Sequence, residues 1–126
     1  MKNYYKGKYD EDRKERNGWV IGQFMNEKID DKRGTDKFAV KFWKFKKGQE
    51  TNHPSKYQRF ATEATFVLKG KLRAKIEEDE FLFVEGDYVI IPPNTTSNLA
   101  IEVMEEAEGI TIKAPSHIPD DTVKLI

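Results

Sequence analysis

The feature that most constrains the fold is a series of about seven short runs of strand-forming residues. The runs lie between Gly18 and Pro115, and Gly, Pro, Asn or acidic residues separate them. No segment shows the 3.6-residue periodicity of an amphipathic helix. Short strands joined by tight turns predict an all-β fold, a sandwich or a closed barrel of antiparallel strands, rather than an α/β fold.

One of the runs has two competing apolar faces. Between residues 38 and 42 the large apolar residues occupy even positions, whereas Trp43 and Phe45 continue at odd positions. A β-bulge near Phe42 would bring both sets to the same side of the strand. Aromatic residues on such a strand are more often core than ligand contacts, but Trp43 is retained as a candidate pocket residue.

The chain divides into three regions, and its 126 residues suit one domain. Residues 1–16 are charged and aperiodic, which predicts a flexible arm or an edge strand; residues 17–116 form the barrel; residues 117–126 form a tail. The first sixteen residues lack the apolar run of a signal peptide or membrane anchor. With no cysteine in the chain, we expect a cytoplasmic protein.

The charge balance bears on the partners. Lys and Arg number 22, and Asp and Glu also number 22. A chain without net charge has no bulk field to attract nucleic acid or an acidic membrane, so we expect neither partner. The lysines between residues 37 and 47 could form a phosphate patch, but a solvated surface is the preferred interpretation.

Two segments resemble the motifs of the cupin family. In the first, Glu63 precedes the turn glycine Gly70 by seven positions; in the second, Gly86 and Asp87 are followed by an apolar stretch, a proline and Asn94. Residues 18–22 and 114–116 also resemble a group of small single-domain cupins. The resemblance implies a cupin-type double-stranded β-helix, a jelly-roll barrel, in a homodimer.

The metal ligands of the family are mostly missing. Metal-binding cupins place two histidines four and six residues before the glutamate, and a third in the second motif. Here those places hold Arg59, Tyr57 and Ser97, and a shift of one residue puts Gln58 and Lys56 there instead. The resemblance therefore implies no standard metal centre and no cofactor. A divalent metal held by His53 and Glu63 is the alternative.

The candidate ligand-binding residues are Arg59, Glu63, Arg73, Ser97, Trp43 and His53. If the strand bends between Arg59 and Glu63, the guanidinium could lie where cupins hold a metal and bind an anion. Arg73 shares a strand face with two lysines, and parity alone does not place that face inside or outside. His53 lies in a loop and His117 in the tail, and both are expected on the surface.

Three function classes remain open, and no catalytic residue is identified. The first is a metal-free cupin that binds a small polar or anionic molecule in its barrel. The second is an enzyme, either a metal-dependent cupin oxygenase or isomerase, or a metal-free sugar isomerase or epimerase acting through acid and base residues. The third is a structural or regulatory dimerisation module.

Overall fold

A computed structural model of the chain describes residues 3–27 and 32–125. In these residues eight strands form one antiparallel sheet, which confirms the predicted all-β class. The elements are α1 (Tyr9–Asp12), β1 (Trp19–Ile21), a 3-10 helix (Gln23–Glu27), β2 (Ala39–Phe45), β3 (Lys56–Gln58), β4 (Thr62–Ile76), β5 (Asp79–Val84), β6 (Tyr88–Ile91), β7 (Ser97–Ala114) and β8 (Thr122–Lys124).

Two long strands, β4 and β7, organise the sheet. They pair antiparallel along their length, from Thr62↔Ala114 to Ile76↔Ser97, with register shifts around Gly70. β4 therefore continues through Gly70, which the motif comparison placed at a turn. The shifts bend both strands, so that β5 and β6 pair with different ends of β4 while β2 and β3 pair with different ends of β7. The sheet curls around an interior lined from several strands.

The core fills one part of this interior. Its buried members are Trp43, Val67, Leu72, Ala74, Phe83, Val103 and Ala107. Burial of each large side chain contributes roughly 1.5–3 kcal/mol. Gly109 lies under the Trp43 indole, and a Cβ on it would overlap the ring and the carbonyl oxygen of Phe66. Only glycine at this position lets β2, β7 and β4 lie together with the indole between them.

The predicted bulge near Phe42 is wrong. β2 pairs with β7 without interruption, from Ala39↔Lys113 to Phe45↔Ala107. The odd-numbered residues of the strand face inward and Phe42 faces outward, where the ring of Tyr9 stacks on it at a centroid distance of 4.3 Å. The apolar alternation at residues 38–42 marks a surface that the N-terminal segment covers.

Both end regions have more structure than the sequence predicted. The N-terminal arm contains α1 rather than an edge strand, and the Nε of Arg13 donates to the carbonyl oxygen of Phe42 at 3.0 Å. The expectation of a C-terminal tail is wrong for Thr122–Lys124, because β8 pairs antiparallel with β3. His117 is exposed, as expected.

Local predictions had mixed outcomes. Asn94, at the end of the second motif, has a φ of 62°, in the left-handed region that asparagine tolerates at a turn. The first run of strand-forming residues, 19–24, forms a strand only over Trp19–Ile21, because the chain enters the 3-10 helix at Gln23. Asp30 and Asp31, at the start of a predicted loop, lie outside the described residues.

Candidate functional site

The interior not filled by the core is a cavity of about 200 Å³. Its polar and charged lining is Lys41, His53, Lys56, Glu63, Thr65, Ser97, Asn98, Thr111 and Lys124. Its apolar lining is Trp43, Phe45, Pro54, Leu72, Leu99 and Ala100. Five strands contribute to it, β2, β3, β4, β7 and β8, so the curl of the sheet brings together side chains far apart in sequence. The apolar and polar groups form an amphipathic site.

Glu63 is the central carboxylate of the cavity. It is buried, with 7% of its surface exposed. Its Oε1 accepts a hydrogen bond from the Nε2 of Gln58 at 2.9 Å and lies 3.5 Å from the Nζ of Lys56. Lys56 and Gln58 therefore lie on the same face of β3, and Tyr57 lies on the other. They, rather than Tyr57 and Arg59, occupy the places of the two family histidines, as in the alignment shifted by one residue.

The predicted pair of Arg59 and Glu63 is therefore wrong. Arg59 is exposed, it does not line the cavity, and its backbone N–H donates to the carbonyl oxygen of Asp121 at 2.8 Å. The physical reason is strand parity, because β3 turns its even-numbered side chains toward Glu63. Lys56 supplies the cation that was expected from Arg59.

Arg73 also lies away from the cavity. Leu72 and Ala74 face the core, so Arg73 points outward from β4. Its Nη1 lies 2.6 Å from the Oε1 of Glu80 and its Nε lies 3.3 Å from the Oε1 of Glu102. These two exposed carboxylates raise the pKa of Arg73. The guanidinium is part of a surface ion-pair network.

The other four predicted residues do meet at the cavity. Trp43, His53, Glu63 and Ser97 all line it. His53 reaches it because its ring packs edge-on against Phe45, at a centroid distance of 5.9 Å, and because the Asn98 side chain donates to its carbonyl oxygen at 2.9 Å. Ser97 is buried and paired with Lys56. That these residues contact a ligand remains a prediction.

Three lysines give the cavity an excess of positive charge. Burial lowers the pKa of Lys41, the positive charge of Lys56 lowers it further, and Glu63 partly offsets both effects. Partial burial also lowers the pKa of His53, and the charges of Lys41, Lys56 and Lys124 act in the same direction. Both shifts indicate a site in which a further positive charge is disfavoured.

The donor set does not fit a first-row metal. Gln58 and Lys56 occupy the places of two family histidines; an ammonium group donates hydrogen bonds and cannot ligate while charged. A metal at Glu63 would also meet the charges of Lys41 and Lys56. Among residues 3–27 and 32–125, no three His, Asp or Glu side chains are grouped closely enough to hold an ion.

Sequence reasoning missed the three lysines and a hydroxyl pair. Thr65 and Thr111, on neighbouring strands, lie 2.9 Å apart through their Oγ1 atoms at the cavity wall. The signal for Lys41 was its position two residues before Trp43, on the same face of the strand. No local pattern marks Lys124, since it reaches the cavity only through the pairing of β8 with β3.

Comparisons with known proteins agree with this architecture. No family model matches the chain, and no curated protein does. A protein with a double-stranded β-helix domain from Klebsiella pneumoniae superposes with a TM-score of 0.61 at 17% identity, over 73% of this chain and 77% of that one. None of the described helices is long and apolar enough to cross a membrane.

Two further solved structures are similar. The nucleoside dehydratase Pac13 from Streptomyces has a TM-score of 0.57 at 14% identity, over 71% of this chain and 69% of that one. KdgF from Halomonas has a TM-score of 0.55 at 17% identity, over 66% and 74%. Together with the strand pairing, these likenesses show that the chain has the cupin-type double-stranded β-helix fold.

Proposed function

We propose that this protein binds a small organic anion in the cavity without a standard metal centre. The observation that carries the proposal is the charge of the lining, where Lys41, Lys56 and Lys124 stand against the single carboxylate of Glu63. An anionic group would lie among the ammonium groups. Its apolar or ring-shaped body would pack on the wall that contains Trp43.

The electrostatics of the lining support this proposal. Burial and the neighbouring charge of Lys56 both disfavour the charged form of Lys41, so an anion beside it would offset an existing electrostatic cost. The cavity is smaller than the roughly 300–1,000 Å³ usual for drug-sized ligands. We therefore expect a compact ligand with one anionic group.

Benzoate and benzamide test the role of charge, because the two have nearly the same shape and only benzoate is anionic. Inorganic phosphate and glucuronate extend the panel to anions without an apolar body. Binding is followed by the fluorescence of Trp43, with Trp43→Phe identifying the contribution of Trp19. We expect benzoate to bind and benzamide to bind at least about tenfold more weakly, as for loss of a charge-assisted hydrogen bond.

Lysine variants locate the site. Lys41→Met and Lys56→Met should each weaken benzoate binding by about tenfold or more. Lys37→Met is the matched control, because Lys37 is exposed and does not line the cavity. Equal affinity for benzoate and benzamide, no response to any anion of the panel, or equal losses in the Lys37 and Lys56 variants would each contradict the proposal.

A second candidate is a metal-free acid–base enzyme, such as a sugar isomerase or epimerase. It is favoured by one observation, that Glu63 and His53 line the same cavity. The Glu63 carboxylate would take a proton from the carbon next to a substrate carbonyl to give an enediolate, and the resulting acid would return that proton to a carbon of the enediolate. Return to the same carbon gives an epimer; return to the former carbonyl carbon, with the neighbouring hydroxyl proton passing to the former carbonyl oxygen, gives an isomer. A solved structure of the same fold is a nucleoside dehydratase, so this fold can hold a catalytic site.

Proton exchange tests this candidate directly. The protein is incubated with glucose 6-phosphate or glucuronate in D₂O, and deuterium incorporation at the carbon next to the carbonyl is followed by NMR. An enzyme of this class should incorporate deuterium, and Glu63→Gln should abolish the reaction. If no incorporation occurs while the anion panel binds, the binding function stands alone.

We also propose that the chain forms a homodimer through the outer face of β4 and β6. Phe66, Leu68, Tyr88 and Ile90 are 37%, 48%, 66% and 66% exposed on this face, and the rings of Phe66 and Tyr88 stack at 5.4 Å. Their exposed area is on the order of 400 Å², about half of what one partner buries in a standard interface. Neighbouring residues of β7 that face outward would supply the rest of the interface area.

The border of this face favours a second copy as the partner. It contains the ion pairs Lys44–Glu108 and Lys69–Glu106, so both signs of charge are present and two copies related by a twofold axis would not repel each other. Light scattering after gel filtration should give a dimer, and Tyr88→Lys with Ile90→Lys should give a monomer. Leu82→Lys, at an exposed site on β5, is the control. A monomeric wild type would contradict the proposal.

A further inference from the structure

The strand β8 stands in an unusual relation to the cavity. It is the main partner of β3, with three residue pairs from Lys56↔Lys124 to Gln58↔Thr122. By contrast, β3 pairs with β7 at only one position, Lys56↔Ser97. The strand that carries Lys56 and Gln58 is therefore held in place mostly by a segment that begins some 60 residues later in the chain.

Buried polar contacts attach β8 to the barrel. Asp121, directly before the strand, is 1% exposed. Its Oδ1 accepts hydrogen bonds from the backbone N–H groups of Phe60 at 2.6 Å and Ala61 at 3.4 Å. The Nζ of Lys113 lies 3.8 Å from its Oδ2. These contacts fix the start of β8 against the turn between β3 and β4.

A chain of hydrogen bonds runs from β8 to the cavity carboxylate. The hydroxyl of Thr122 donates to the Oε1 of Gln58 at 2.7 Å, and the Nε2 of Gln58 donates to the Oε1 of Glu63 at 2.9 Å. A glutamine side chain has one accepting end and one donating end. A carboxylate only accepts hydrogen bonds, so Glu63 faces the donating end of the amide, and the Thr122 hydroxyl satisfies the accepting end.

From this geometry we infer that Thr122 is a positioning residue for the cavity and that Lys124 is a specificity residue for its anion, an inference that rests on the proposed function. Without the Thr122 hydroxyl, the amide oxygen of Gln58 loses this donor, and the side chain is held only at its donating end. Glu63 and its partner Lys56 would then shift, and the ammonium group would no longer be held for the ligand.

The test compares three variants by NMR and by benzoate binding. Thr122→Val removes the hydroxyl at nearly constant shape, and we expect it to weaken benzoate binding about fivefold and to shift the side-chain amide signals of Gln58. Thr122→Ser keeps the hydroxyl and should restore both. Thr95→Val is the control, because it removes a hydroxyl that donates to the carbonyl oxygen of Pro93, outside the cavity.

The role of Lys124 in specificity is tested by comparing benzoate and benzamide binding. Lys124→Met should weaken benzoate more than benzamide, whereas Lys37→Met should change neither. If Lys124→Met weakens both ligands equally, Lys124 does not determine specificity.

Anion binding and the positioning role of Thr122 can be contradicted separately. If wild type binds no anion, the proposed function fails, but the Gln58 amide signals still report whether Thr122 fixes that side chain. If Thr122→Val leaves both these signals and benzoate affinity unchanged, or if Thr122→Ser is as impaired as Thr122→Val, the positioning role is overturned while anion binding stands.

Discussion

The side-chain nitrogen of Gln58 lies 2.9 Å from the Oε1 of Glu63, and both residues are buried. A hydrogen bond from a neutral amide to a buried carboxylate is charge-assisted and stronger than one between neutral groups. The pair joins β3 to β4 at the cavity wall. It therefore contributes to the stability of the barrel as well as to the shape of the site.

Gln58→Leu should lower the free energy of unfolding by about 1–3 kcal/mol, because it removes a donor from a buried carboxylate. Urea denaturation measures the change. In the double variant Gln58→Leu with Glu63→Leu, the loss should be smaller than the sum of the single losses, since both polar partners are then gone. If the loss in the double variant equals the sum of the two single losses, Gln58 and Glu63 are not energetically coupled.

The titration of His53 should report on the ligand. Burial and three lysines lower its pKa below 6.5 in the folded chain. The unfolded chain therefore binds the proton at a higher pH, and this residue makes folding less favourable as the pH falls from about 6.5 toward the lower folded value. Bound benzoate would bring a negative charge near the lysines and raise the pKa of His53.

Proton NMR measures this shift, because the chain has only two histidines and His53→Gln assigns their signals. The exposed His117 is the internal reference. An unchanged His53 midpoint in the presence of saturating benzoate would place the anion elsewhere.

Gly109→Ala should destabilise the protein by roughly 1–3 kcal/mol or more, because the new methyl group would overlap the Trp43 indole and the carbonyl oxygen of Phe66. The displaced indole should change the fluorescence of Trp43. Gly86→Ala is a useful contrast, since a Cβ there meets open space and the cost is the backbone strain of a φ of 91°. If Gly86→Ala changes the fluorescence of Trp43 as much as Gly109→Ala does, overlap with the indole is not the cause.

Tyr9→Ala should lower the free energy of unfolding by about 0.5–1.5 kcal/mol, because the Tyr9 ring stacks on Phe42. Asp10→Asn, on the same helix, should change stability much less although Asp10 lies 2.6 Å from the Nζ of Lys44, because that ion pair is exposed. Thermal denaturation of the two variants separates the contributions. Equal effects would mean that charge, rather than ring packing, holds α1.

The sequence allowed the fold to be predicted because its evidence is local. The spacing of Glu63 and Gly70, the Gly86–Asp87 turn and the turn at Asn94 each depend on a few neighbouring residues. The same locality misplaced Arg59, because a one-residue shift along a strand exchanges its two faces. Hydrophobicity likewise placed Phe42 inside, since nothing nearby in sequence shows that Tyr9 covers it.

The cavity lining was harder to predict for a different reason. Lys41 faces inward although lysine is rarely buried, and Lys124 depends on strand pairing across more than 60 residues. Composition added nothing, because a chain with no net charge can still concentrate lysines at one site. Glu63 and Ser97 were found through the motif comparison, His53 through its loop position, and Trp43 as an aromatic residue on a predicted strand.

The single residue pair between β3 and β7 has a consequence for the dynamics of the cavity wall. Backbone amides of β3 and β8 should exchange with deuterium faster than those at the centre of the β4–β7 pair, because fewer hydrogen bonds must open together. An anion that contacts both Lys124 on β8 and Lys41 on β2 would connect these two parts of the cavity wall. Ligand binding should then appear first as slower exchange at residues 122–124, before any change in the melting temperature is measurable.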